Sequence, residues 1–199
     1  DAEIIGDGQA IEWFDLSGVG RAPARFDFQK LDSLNGHYLR RADDDRLLEL
    51  IAPRVEKIAG ALLAPLGRAR LKRGMGGLKD RAKTLRELAD GAAFYARSRP
   101  LPVSAKAAEI LVGAEDLLKR IAAALAAEPD WTVAALESSV RRFAEAEDVK
   151  LGQVAQPMRA ALTGEGVSPP IFEVMAVLGR DESLGRIEDA LHKKRAAVA

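Results

Sequence analysis

Apolar residues recur at spacings of three and four along nearly the whole chain, and no stretch alternates with the period of two that a half-buried strand needs. That pattern confines the chain to packed helices. Asp27 can cap a helix whose Phe28, Leu31, Leu34 and Tyr38 share a face, and Asp43, Asp44 and Asp45 suit the positive end of a second. Pro53 kinks or restarts the second helix, after which Val55, Ile58, Leu62 and Leu66 continue at helical intervals. Leu78, Ala82, Leu85, Leu88 and Tyr95 line up as the face of a third. SRPLP, at 98–102, reads as a linker. Beyond it, Ala107, Ile110, Leu111, Ala114, Leu117, Leu118, Ile121 and Leu125 predict one long amphipathic helix. Thr132 caps the next, with Val133, Leu136, Val140 and Phe143 inward. A short helix around Pro157 ends at Gly164, and Ser168 is the N-cap of another with Pro169 at its first position. Gly179 ends that helix, and Asp181 starts a last one that frays in the basic tail HKKRAAVA. The expectation is an all-α protein of two helical subdomains joined near residue 100.

The rest of the composition excludes more than it suggests. At 199 residues and 48% hydrophobic, the chain can bury one large core or two small ones. Having no cysteine, it has no disulfide, thiolate metal site or cysteine nucleophile. The only histidines, His37 and His192, are far apart, which leaves no catalytic triad, histidine-pair metal site or zinc finger. His37 reads as a surface or hydrogen-bonded structural residue and His192 as solvated. The acidic run EAEDVK reads as a solvated helix end. Net charge is zero, no apolar run nears the roughly 18 residues of a membrane span, and no signal-peptide pattern opens the chain. A cytosolic protein is the default. The opening DAEIIGDGQAIEWFDL lacks a methionine and reads as the middle of a longer chain.

Two stretches carry chemistry. From Leu66 to Lys83, seven basic residues stand against the single Asp80, and glycines at 74, 76 and 77 predict a flexible basic joint. GMGGLKD fails as a phosphate loop, because its spacing is wrong and Asp follows the lysine. The second stretch is VAQPMRAALTGEGVSPPIFEVMAVLGR, from Val154 to Arg180, which crowds polar groups, prolines and a phenylalanine around a tight turn. A plain core hairpin has no need of that chemistry, whereas a surface that reads another molecule has a use for it. Read without further context, Ile171 and Phe172 suit the core equally well, Arg159 suits plain solvent exposure, and Ser168-Pro169 is satisfied as a helix start.

Three segments together resemble the C-terminal part of bacterial-type glutamyl-tRNA synthetases, class I aminoacyl-tRNA synthetases. They are ARFDFQKLDSLNGHYLR (24–40), LKDRAKTLRELADGAAFY (78–95) and KLGQVAQPMRAALTGEGVSPPIFEVMAVLGRDESLGRI (150–187). The last is the most specific; the first dozen residues and 98–130 are the least distinctive. The resemblance implies a stem-contact remainder (1–42) and two helical anticodon-binding subdomains (43–99 and 100–199). It implies that the adenylate-forming HIGH and KMSKS signatures, absent here, lie in a catalytic domain outside this stretch, together with ATP and Mg. Glutaminyl-tRNA synthetases of the eukaryotic-like type end instead in β-barrels.

By the same resemblance the partner is a glutamate-accepting tRNA, with neither DNA nor membrane involved, and the chain acts as a monomer. Arg159, Ser168, Pro169, Ile171 and Phe172 fall on anticodon-contacting positions. Arg81 falls near the arginine that reads the third anticodon base, with Lys79 and Lys83 as rivals. Arg68, Lys72, Arg73, Lys79 and Lys83 are matched to tRNA phosphates, against a solvated linker as the plainer reading. Lys30, Asn35 and Tyr38 pack locally or touch the acceptor-side stem. This sequence departs from the family in Pro170, where glycine is common, and in Ser33, where a bulky aromatic is frequent. The alternatives are a free-standing helical RNA- or partner-binding module that begins near Asp1, and a structural bundle without RNA contact. The bundle predicts that Arg68, Arg81 and Arg159 do not cluster.

Overall fold

The computed structural model describes residues 4–20 and 25–197; Ala24 of the first resembling segment and the last two residues of the basic tail lie outside them. Among the described residues there are α-helices and short 3-10 turns but no strand. α1 (Asp7–Trp13) and α2 (Phe28–Arg41) lead into α3 (Asp44–Ala59), α4 (Pro65–Lys79) and α5 (Leu85–Ala92). After the 98–104 connection come α6 (Ala105–Leu111), α7 (Glu115–Ala126), α8 (Val133–Ala146), α9 (Leu151–Thr163), α10 (Ile171–Leu178) and α11 (Arg180–Ala197). The buried apolar residues form one connected cluster from Leu39 to Ile187.

Local capping chemistry works where it was expected. The Asp27 carboxylate accepts from the Gln29 and Lys30 N–H groups at the start of α2, and Asp43 accepts from Arg46 N–H at the start of α3. Thr132 does the same for α8, and Gly164 closes α9 at φ +75°. Gly179 caps α10.

Several expectations fail, each for a tertiary reason. Phe28, Leu31 and Tyr38 are exposed, and α2 buries Gly36 and Leu39 instead. It docks through its C-terminal half, where α4 lies beside it and Asn35 donates to Lys83 O. Asn35 therefore has a packing role, and Ser33 is exposed. Pro53 sits within a continuous α3, on its exposed side. Leu62 and Leu66 do not continue that face: Gly60 ends the helix and both leucines face solvent. The long helix expected after the linker is two, α6 and α7, broken at Gly113 with φ +76°. α11 begins at Arg180 and runs through the basic tail to Ala197.

The glycine-rich joint is the largest correction. Gly74, Gly76 and Gly77 all lie inside α4. A Cβ on Gly74 would stand 2.6 Å from the ring of Tyr95, which is itself fully buried. A Cβ on Gly77 would stand 3.2 Å from Pro169 and 2.8 Å from the Glu173 carboxylate, whereas Gly76 meets open space. Two of the three glycines therefore let α4 approach its neighbours closely, rather than letting it bend.

Charged side chains complete the joint between the early and late helices. Arg73 donates to Val177 O at 2.8 Å and Arg70 to Leu178 O at 3.4 Å, so α4 satisfies carbonyls at the C-terminal end of α10. Arg99 grips Asp189 with two bonds of 2.8 and 3.1 Å, lying over Gly185.

Candidate nucleic-acid interface

α9 is begun by the Gln153 side chain, which accepts from Lys150 N–H at 2.9 Å. It ends in a hydroxyl-linked turn: Thr163 Oγ1 donates to Arg159 O at 2.8 Å and accepts from Glu165 N–H at 3.1 Å. Arg159 therefore projects from a backbone held on both sides. Its Nε donates to Ser168 Oγ at 3.0 Å, and that hydroxyl donates onward to Pro169 O at 2.8 Å.

Ser168 is consequently not a helix cap. α10 begins at Ile171 with Pro170 in the cap position and no side chain capping its first N–H groups. Pro169 and Pro170 have no N–H to offer it, and its hydroxyl is spent on Arg159 and Pro169 O. Burial first, and then the neighbouring Arg81, hold the Arg159 guanidinium below its ordinary pKa. Arg159 therefore lies within electrostatic range of Arg81.

Arg81 follows the C-terminal end of α4 and borders an open cleft of about 650 Å³, together with Gly76, Gly77, Asp80, Pro170 and Glu173. Among the described residues neither Arg81 nor Arg159 forms an ion pair. Pro169 is buried under Gly77, while Pro170 is exposed at the rim. Ile171 is 4% exposed and belongs to the core, so its side chain offers no surface to a base. Phe172 is half-buried and packs against that core. The periodicity of α10 itself turns Ile171, Val174, Met175 and Leu178 inward.

The basic stretch divides. Arg68 pairs with Glu49, Lys72 lies 2.6 Å from Asp45, and Lys79 bonds Asp44 at 2.7 Å and Ala42 O at 3.0 Å. With Arg73 on Val177 O, four of the five residues matched to phosphates are engaged within the chain. For Lys72 and Lys79 the reason is the aspartate run opening α3, which lies alongside α4. Lys83 is exposed and uses only its backbone, donating to Glu87 and accepting from Asn35. Arg81 and Arg159 lie within electrostatic range of each other; Arg68 is held by α3.

Sequence reading passed over Glu173, Asp80 and Gly77 at this cleft. The only signal was position: Glu173 lies within the resembling segment, one residue past Phe172. Elsewhere, Nε2 of half-buried His37 has no hydrogen-bond partner, and His192 is exposed 3.6 Å from Glu188. No cluster of three or more His, Asp or Glu is placed to hold a metal among the described residues, and no helix of theirs is long and apolar enough to cross a membrane.

A family model described as anticodon binding domain matches residues 32–191. The chain is 55% identical over 195 residues to glutamate–tRNA ligase 2 of Paramagnetospirillum magneticum, covering 96% of this chain and 40% of the ligase. It is 54% identical over 194 residues to glutamate–tRNA ligase 2 of Rhodospirillum rubrum, covering 96% and 41%. A crystal structure of a glutamate tRNA ligase from Elizabethkingia meningosepticum in complex with its amino acid superposes with a TM-score of 0.78 at 25% identity, over 96% of this chain and 37% of that one. The chain spans about 40% of the length of the curated relatives it matches.

Proposed function

The chain belongs to the anticodon binding domain family, and from that membership we propose that it is the anticodon-recognising region of a glutamate–tRNA ligase. In this reading the whole enzyme joins glutamate to tRNA with ATP and Mg bound in a catalytic part outside these residues. The chain recognises a glutamate-accepting tRNA, acts as a monomer in the cytoplasm and has no DNA or membrane partner. Residues 1–42 form the stem-contact remainder, with the two anticodon-binding subdomains at 43–99 and 100–199.

The observation that carries this reading is Arg81 at an open cleft, within electrostatic range of the Arg159 that bonds Ser168 two residues before the cleft's Pro170, with neither arginine ion-paired among the described residues. Like charges within range of each other repel, and α4 and α9 are held in place by other contacts. An anionic, hydrogen-bond-accepting ligand relieves that repulsion. Anticodon bases are single-stranded and present such acceptors on their edges, beside their phosphates. Arg159 is oriented by Ser168, which leaves its terminal nitrogens available as donors. Pro170 supplies a rigid apolar rim, and Asp80 and Glu173 supply acceptors for base amino groups. Ile171 stays in the core as support. The long ligases among the relatives favour this over a free-standing module.

Replacing Arg81 with glutamine tests the reading. In fluorescence-anisotropy titrations with glutamate tRNA transcripts carrying C or G at the third anticodon position, discrimination should fall about 10-fold, within the range of one lost bidentate base contact. Unchanged discrimination would remove Arg81 as the reader of that base.

A further inference from the structure

The cations of the α4 region fall into two sets. Arg68, Lys72, Arg73 and Lys79 are bonded within the chain. Lys83 and Arg40 are exposed, and the side chain of neither makes an ion pair or hydrogen bond among the described residues. These two sit together over Gly36. Arg40 Nη1 and Lys83 Cα lie 3.4 and 3.6 Å from the point a Cβ on Gly36 would occupy. The Asn35 amide, donating to Lys83 O, pins the same contact.

We propose that Lys83 and Arg40 hold backbone phosphates of the RNA strand that leaves the Arg81 cleft, and that the ion-paired Arg68 and Lys72 do not. The proposal rests on the anticodon reading and extends it. Arg81 stands two residues before Lys83, so the unpaired cations run from the cleft onto α2 without a break. Arg68 and Lys72 would have to exchange a carboxylate for a phosphate, which changes one charge neutralisation into another and adds little. Lys83 and Arg40 would exchange only counterions, whose release is what drives phosphate binding. The Glu87 carboxylate accepts from Lys83 N–H, just ahead of Thr84, whose hydroxyl accepts from Glu87 N–H and caps the start of α5. An acidic protein segment would satisfy the same two charges, but continuity with the cleft favours the strand that fills it.

The test titrates this chain with glutamate tRNA and with an anticodon-swapped tRNA across several salt concentrations, comparing R40Q/K83Q with R68Q/K72Q. All four positions lie on the surface, and circular dichroism checks that both variants keep their helices. R40Q/K83Q should weaken both RNAs by the same factor and make the plot of log affinity against log salt shallower by about 2. R68Q/K72Q should leave that slope within about half a unit of the parent chain. An unchanged slope in R40Q/K83Q, with anticodon preference intact in the parent, overturns the track and leaves the anticodon reading standing. Equal loss in both variants also overturns it, since selectivity is then absent. If R40Q/K83Q loses binding to poly-glutamate while keeping its tRNA slope, the surface belongs to an acidic protein partner and the proposal falls. A parent chain indifferent to the anticodon instead sinks the reading beneath it.

Discussion

Alanine at Gly164 is expected to destabilise the protein by about 2–5 kcal/mol, whereas alanine at Gly60 should cost only about 1–2 kcal/mol. Both glycines end helices in the left-handed region, at φ +75° and +72°. The conformational cost is therefore shared. The difference lies in what a methyl group would meet. At Gly60 it meets open space, while at Gly164 it would stand 2.2 Å from the Pro102 carbonyl oxygen. That oxygen is backbone, and the strand carrying it is held in place by the Ser104 N–H bond to Gly164 O at 2.9 Å. The clash is relieved only by separating the turn after α9 from the segment that starts α6. Urea unfolding of the two variants measures the contrast. Equal losses would mean that the 102–104 segment yields freely and that the close approach is not structural.

Glutamine at Glu182 should cost about 3–5 kcal/mol, although it preserves shape. Glu182 is the one carboxylate, among the described residues, set between two buried guanidiniums. Arg186 Nε lies 2.7 Å away and Arg70 Nη2 lies 3.3 Å away. Arg186 is almost fully buried and also donates to Leu162 O at 2.8 Å, in the helix that carries Arg159. Removing the negative charge leaves two cations in a low-dielectric joint between α4, α9 and α11, the helices that position the cleft. The same site sets a pH dependence. Burial pushes the Glu182 carboxyl up, but Arg186 and Arg70 together hold it below the usual carboxylate range. A folded pKa below the unfolded one contributes stability above about pH 4.3, and that contribution fades as pH falls through the folded value. Between pH 6 and 3 the parent should therefore lose more stability than E182Q, so that the gap between them narrows. Asp189, held low by Arg99, titrates in both proteins and leaves the comparison intact. A gap that stays constant with pH would contradict the shared-carboxylate account.

How much of this could be read from the residues depended on how local each signal was. The caps Asp27, Thr132, Gly164 and Gly179 were legible because a cap acts within one turn of itself. All-helical packing was legible from the period. Gly74 and Gly77 were misread as a hinge because their meaning lies in Tyr95 and Pro169, which are far along the chain. The internal partners of Arg68, Lys72, Arg73 and Lys79 were not legible, since nothing nearby in sequence announces Glu49, Asp45, Val177 or Asp44. Gly113 was legible in principle as a helix end, but the apolar spacing runs through it and hid the break between α6 and α7. Ser168-Pro169 looked like a helix start, and only the geometry of Pro170 and Arg159 reassigns the hydroxyl.

The most direct measurement is the affinity of this chain for glutamate tRNA set beside the same tRNA with its anticodon replaced, at low and moderate salt. Recognition through the Arg81 cleft predicts tighter binding of the native anticodon at both salts, with both affinities falling as salt rises. Equal affinity for the two RNAs would reduce the chain to a grip on phosphates and contradict anticodon recognition at the cleft.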